Sequence, residues 1–181
     1  YRIPALGGPP AKLADTMLYR DTAVSPDGRS LAYIGREPTK PQSHLRLAKP
    51  DGSDEQSLVK LDEPDGFSPG LAWSPDGKDI VYCGETFAEG KRSRNIVGVR
   101  VTDGSQRPLS DQNWDRCNSI VWLPDGNLLV SGSAGSGGSE SAPVSQLWLI
   151  VPGSPPQRIT NDLNGYSNVT ATANGDVLVA R

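Results

Sequence analysis

The chain has 181 residues, enough for one domain with a sizeable core. Its 20 Gly and 16 Pro leave little room for helices, and its net charge of -3 argues against a nucleic-acid or anionic-membrane surface. No apolar run approaches the ~20 residues of a membrane helix, and no signal peptide is visible.

The predicted elements repeat in one order of four strands, a to d. Residues 1–3 read as a strand c and residues 11–14 as a polar strand d, joined by the turn signal Leu6-Gly7-Gly8-Pro9-Pro10. A chain that starts at Tyr1 inside a strand reads as a processed product or a piece of a longer protein. Strand a then runs over 21–25 into the turn Ser25-Pro26-Asp27-Gly28, with strand b over 30–34. In that turn Pro pre-sets φ, Asp bonds nearby backbone and Gly takes positive φ. Strand c follows at 45–48, the turn Pro50-Asp51-Gly52-Ser53, and strand d at 56–61.

The second unit repeats this order: a at 70–74, Ser74-Pro75-Asp76-Gly77, b at 79–83, c at 96–101, Thr102-Asp103-Gly104-Ser105 and d at 107–109. The third has a at 119–123, Leu123-Pro124-Asp125-Gly126, b at 128–131, c at 147–151, the turn Pro152-Gly153-Ser154-Pro155-Pro156 and d at 157–160. The chain closes with a at 168–172, the degenerate turn Thr172-Ala173-Asn174-Gly175 and b at 177–180. Turn positions 26, 75, 124 and 173 are each 49 residues apart.

Four short strands per unit at such a period predict an all-β fold, a β-propeller of four repeats with four-stranded antiparallel blades. A β-sandwich does not repeat at the level of four-strand units, and a β-helix needs a shorter period. The c–d half at the start and the a–b half at the end leave three outcomes. They complete one blade and close a four-bladed ring, they join halves of a second chain in a larger ring or a filament, or further sequence supplies more blades.

The a–b and c–d turns share one face of such a propeller. The b–c segments 35–44, 84–95 and 132–146 are read as long, dissimilar loops on the other face, where variation marks function. The Gly/Ser run 132–139 reads as flexible.

The units Val24-Ser25-Pro26-Asp27-Gly28-Arg29 and Trp73-Ser74-Pro75-Asp76-Gly77-Lys78 resemble the WD40-like, TolB-type propeller repeat. The third copy departs from it at Leu123 and Asn127, and the fourth lacks both Ser-Pro and Asp. The segments 1–10 and 157–167 look like parts of propellers fused to bacterial eukaryotic-like serine/threonine kinases and to some transcriptional regulators. That resemblance implies a bacterial source, more than four repeats in the whole protein, a sensor or interaction role, and a location outside the cytoplasm. The chain itself has no kinase Gly-rich loop, His-Arg-Asp or Asp-Phe-Gly element.

Signals for chemistry are sparse. His44 is the sole histidine and reads as an exposed loop residue, and no Gly-x-Ser-x-Gly elbow accompanies it. One His and two distant Cys make no zinc set, and no phosphate or dinucleotide fingerprint occurs, so no metal and no cofactor are expected. Cys83 and Cys117 read as unpaired thiols, with a single bridge between consecutive repeats as the alternative. The turn acids Asp27, Asp76 and Asp125 satisfy backbone donors rather than calcium. Lys91-Arg92-Ser93-Arg94 reads as a solvated loop tip, and the sequon at Asn168 as coincidence.

The d–a connections carry aromatics, Tyr19, Phe67, Trp114 and Tyr166, beside acids, notably Asp65, Asp115 and Asp162. Two readings stand: an aromatic, acidic mouth for a peptide, sugar or cationic ligand, or rings that plug the gaps between blades as core. The expected function is a non-enzymatic scaffold or recognition domain. It binds a protein, peptide or small ligand through the b–c and d–a face, without nucleic acid or membrane insertion. The rivals are part of a propeller-containing enzyme (peptidase-gating, lyase or lactonase) and a purely structural, self-assembling oligomer or fibre subunit.

Overall fold

The computed structural model describes residues 8–10, 17–37, 39–135, 144–172 and 174–180. Among these, fourteen strands and no helix occur. Three four-stranded antiparallel sheets form in simple meander order: β1 (Met17–Val24) to β4 (Gln56–Asp62) through β2 (Leu31–Arg36) and β3 (Gln42–Ala48), then the two that follow. The second comprises β5 (Gly66–Trp73), β6 (Asp79–Ala88), β7 (Lys91–Arg100) and β8 (Gln106–Pro108). The third comprises β9 (Trp114–Trp122), β10 (Leu128–Ala134), β11 (Gln146–Ile150) and β12 (Gln157–Arg158). A two-stranded half-sheet, β13 (Asn168–Ala171) with β14 (Val177–Ala180), follows. The predicted strands at 1–3 and 11–14, and with them the question of how the ring closes, lie outside the described residues.

The blades stack face to face because their middle strands alternate side chains between two cores. On β6, Ile80 and Tyr82 enter the cluster shared with the first blade, with Ile34, Leu45 and Phe67. Val81 and Cys83 enter the cluster shared with the third blade, with Trp114, Ile120 and Leu128. A period of two therefore makes β6 buried on both faces, and residues 79–84 are all buried. On β10, Leu128 and Val130 face the second blade and Leu129 the half-sheet, packed with Tyr166 and Val169. Each such aliphatic side chain contributes about 1.5–3 kcal/mol by leaving water.

The turns repeat in atomic detail. Ser74 Oγ donates to Asp76 Oδ1 at 2.7 Å and accepts from Asp79 N at 2.9 Å, while Lys78 N donates to Asp76 Oδ1 at 3.1 Å. Ser25, Asp27, Arg29 and Ser30 make the same three bonds. Gly28 and Gly77 sit at φ 71° and 70°, where a side chain would be strained. The fourth turn keeps this pattern with different atoms: Thr172 Oγ1 bonds Asn174 and accepts from Asp176 N at 3.1 Å.

Three sequence expectations are corrected. Segment 84–95 is not a loop: β6 and β7 pair without a break from Gly84↔Asn95 to Ala88↔Lys91, and only Glu89 and Gly90 turn, at φ 52° and 73°. Positive φ at both residues suits the right-handed strand twist, and the polar residues outside are solvated strand positions. His44 likewise lies inside β3, half-buried, with Nδ1 2.8 Å from Ser57 Oγ. Segment 35–44 likewise shortens to a connection at 37–41, because β2 and β3 pair as far as Arg36↔Ser43.

Candidate functional site

The inner strands β1, β5, β9 and β13 lie side by side and line a groove of about 460 Å³. Repeat-equivalent residues Asp21, Gly70, Ser119 and Asn168 stand at corresponding places along it. Thr22, Asn118 and Thr170 add polar groups, so the groove presents one carboxylate and several neutral hydrogen-bonding side chains, with no base among its lining residues. Adjacent inner strands are tied through the same positions. Gly70 N donates to Asp21 Oδ2, and Ser119 Oγ both donates to Val169 O (3.2 Å) and accepts from Val169 N (3.3 Å).

On the face of the b–c connections the β6–β7 hairpin projects past its sheet. A compact ionic network braces its base. Glu85 holds Arg92 Nε at 3.0 Å through Oε1 and Arg94 Nε at 3.0 Å through Oε2, and Ser68 Oγ donates to the same carboxylate at 2.8 Å. Arg94 also donates to the Asp115 carbonyl on β9, which links the hairpin to the next blade. Residues 91–94 are therefore strand residues, and Arg94, with 18% of its side chain exposed, is an inter-blade brace rather than a solvated tip. Near the end of the hairpin Phe87 is 43% exposed, with the Arg92 guanidinium 6.0 Å from its ring centroid.

The residues singled out from the sequence separate into two sets. Phe67 is 3% exposed and meets Tyr82 edge-on at 5.0 Å. Trp114 is 2% exposed and meets Trp148 edge-on at 5.5 Å. Tyr166 is buried, and its hydroxyl donates to Asp162 Oδ2 at 2.7 Å. These rings fill the spaces between blades and turn no face toward the groove. Tyr19 falls on β1, and its side chain lies outside the described residues. The acids act locally: Asp65 Oδ1 accepts Phe87 N at 2.9 Å, Asp115 offers its carbonyl to Arg94, and Asp162 receives Tyr166 and, on its carbonyl, Gln146. Among the described residues no three His, Cys, Asp or Glu side chains gather into a metal set.

Ser119 and Asn168 were not singled out as groove residues from the sequence, although their 49-residue relation to Asp21 and Gly70 was available, and Asn118 carried no such signal. The hairpin was missed as well, its one local signal being the Glu89-Gly90 turn pair.

No family model matches the chain. It is 29% identical over 124 residues to dipeptidyl-peptidase 5 of Arthroderma otae, covering 60% of this chain and 17% of that protein. It is 26% identical over 187 aligned positions to an uncharacterised protein of Agrobacterium fabrum, covering 99% of this chain and 57% of the other. Among solved structures, TolB of Acinetobacter baumannii superposes with a TM-score of 0.67 at 15% identity, over 87% of this chain and 36% of TolB. The fold is a TolB-type β-propeller. The chain spans less than a fifth of the length of the dipeptidyl-peptidase and about a third of TolB. The Pro-Asp-Gly turns cap one face and the hairpin belongs to the other, while the groove follows the inner strands toward the turns and reaches Pro26.

Proposed function

We propose that this chain is a recognition propeller without catalysis of its own, binding a protein, peptide or small ligand on the face that carries the b–c and d–a connections. The polar groove along the inner strands, which runs from there toward the Pro-Asp-Gly turns, supports the binding role: a concave site about 460 Å³ in volume with convergent hydrogen-bonding groups suits an extended, polar ligand. On the b–c face itself the β6–β7 hairpin supplies an exposed aromatic ring and cationic side chains. The test is selection of binders from a displayed random peptide library, followed by Asn118→Ala with Asn168→Ala in the groove and Lys78→Ala on the turn face. Binders that lose affinity only with the groove pair support the reading. Binders that respond only to Lys78→Ala, or the absence of any binder, overturn it.

The similarity to dipeptidyl-peptidase 5 favours one second reading, in which the chain is a segment of the propeller of a peptidase. Turnover of dipeptide anilides by the chain alone would defeat the non-enzymatic reading. A hydrolase domain encoded in the flanking sequence, with the chain alone inactive, would establish the second.

A further inference from the structure

Cys83 on β6 and Cys117 on β9 belong to different blades, yet both lie in the core cluster between blades two and three, 0% and 3% exposed. They are free thiols. Two observations place them against each other. Cys83 pairs with Ser68 at the edge of the β5 bulge, and a Cβ built on Gly70 within that bulge would stand 3.5 Å from Cys117 Sγ. The Cys83 side chain, acting on Cys117 together with burial, pushes the Cys117 thiol well above its ordinary range. The repeat shows why the pair is local to this interface. Counting 49 residues either way, the equivalent positions are Ile34 with Ser68 and Gly132 with Tyr166.

We propose that Cys83 and Cys117 are a modification site: an intramolecular disulfide that staples blade two to blade three. The oxidant is a disulfide, either a small one or an oxidised dithiol protein. One thiol loses its proton and attacks a sulfur of the oxidant, giving a mixed disulfide and releasing one thiol. The second cysteine, deprotonated in turn, attacks the protein sulfur of that mixed disulfide and releases the other thiol. Two protein thiols are oxidised to one S–S bond and one oxidant disulfide is reduced to two thiols. Both residues are buried, and the raised Cys117 pKa leaves little thiolate at that residue in the folded state. The bridge therefore forms while the blades assemble or part, and slowly in the closed molecule. Once formed, it closes the chain from 83 to 117 and restrains the unfolded ensemble.

The test is refolding from denaturant in a buffer of reduced and oxidised glutathione, with blocking of thiols under denaturing conditions and mass measurement. The expected product has lost two hydrogens, takes up no blocking reagent and yields a peptide joined through Cys83 and Cys117. Its unfolding equilibrium constant should fall by about tenfold or more relative to the reduced chain. The Cys117→Ala variant should instead carry one glutathione on Cys83. Recovery of two blockable thiols, or of two glutathione adducts, would overturn the proposal. A crosslink that leaves the unfolding equilibrium unchanged would overturn its role as a staple.

Discussion

The carboxylate of Asp21 on β1 accepts the backbone N–H of Gly70 on β5, the residue 49 positions later that occupies the same place in the next repeat. Repeat symmetry is broken at this contact, since one unit supplies an acid and its neighbour a bare backbone. Asp21→Ala leaves the Gly70 N–H without its acceptor in a half-buried setting and should cost about 1–3 kcal/mol. Asp21→Asn keeps a carbonyl oxygen in place and should cost less. Urea unfolding of both variants measures the difference, and an alanine variant as stable as the parent would contradict the contact.

Gly70 has a second constraint. Its φ is 111°, and a Cβ there would stand 2.7 Å from Ile120 Cγ1. Gly70→Ala should therefore cost about 2 kcal/mol or more, from backbone strain plus overpacking against the third blade. Trimming Ile120 to Ala should make the added cost of Gly70→Ala smaller than in the parent, because neighbouring substitutions couple. A double-mutant cycle by chemical denaturation reads this directly.

Trp73 and Trp122 are repeat equivalents with unequal partners. Trp73 Nε1 donates to Ala23 O of the first blade at 3.1 Å, whereas Trp122 Nε1 is buried without a hydrogen-bond partner. Trp73→Phe should therefore cost about 0.5–1.5 kcal/mol more than Trp122→Phe. Equal denaturation midpoints for the two variants would refute the asymmetry.

The exposed turn carboxyls set an acid limit. Hydrogen bonds from Ser25, Ser53, Ser74 and Ser105, with their neighbouring backbone N–H groups, hold Asp27, Asp51, Asp76 and Asp103 below the ordinary value of 3.8. A depressed folded pKa means the unfolded chain binds the proton first. The stabilisation is thus whole above about pH 4 and is lost as pH falls through the lower folded values. Urea midpoints between pH 5 and pH 2 should fall, and Asp27→Asn with Asp76→Asn should flatten the slope.

A separate limit comes from His44, whose pKa burial pushes below 6.5, with the Arg46 charge acting in the same direction. The unfolded chain again protonates first, so stability declines as pH drops below 6.5 toward the folded value. His44→Gln should remove that part of the slope, and a slope unchanged between pH 7 and 5 would show that the ring makes no such contribution.

Much of the fold was legible in advance because turn chemistry is local. Pro, Asp and Gly dictate backbone angles within four residues, so Ser25-Pro26-Asp27-Gly28 and Ser74-Pro75-Asp76-Gly77 announced their hairpins regardless of surroundings. The site was harder to read. Phe67, Trp114 and Tyr166 stand beside acids in sequence, and adjacency cannot say which way a ring turns. Only stacking of one blade on the next sends them into the core. Glu85, Arg92 and Arg94 looked like loop charges for a related reason: solvated strands carry polar side chains on both faces, which erases the alternation that marks a buried strand.

By itself the sequence determined the unit, its four strands, the turns that punctuate it and the face on which they lie. Those follow from backbone preferences and from a period of two, which act over a few residues. The tertiary structure alone decided which positions meet across blades: Asp21 with Gly70, Arg94 with Asp115, Cys83 with Cys117. Such pairs are separated by 21 to 49 residues in the chain. The bulges of β1 and β5 and the packing of whole sheets aim them at each other, and neither leaves a local mark on composition.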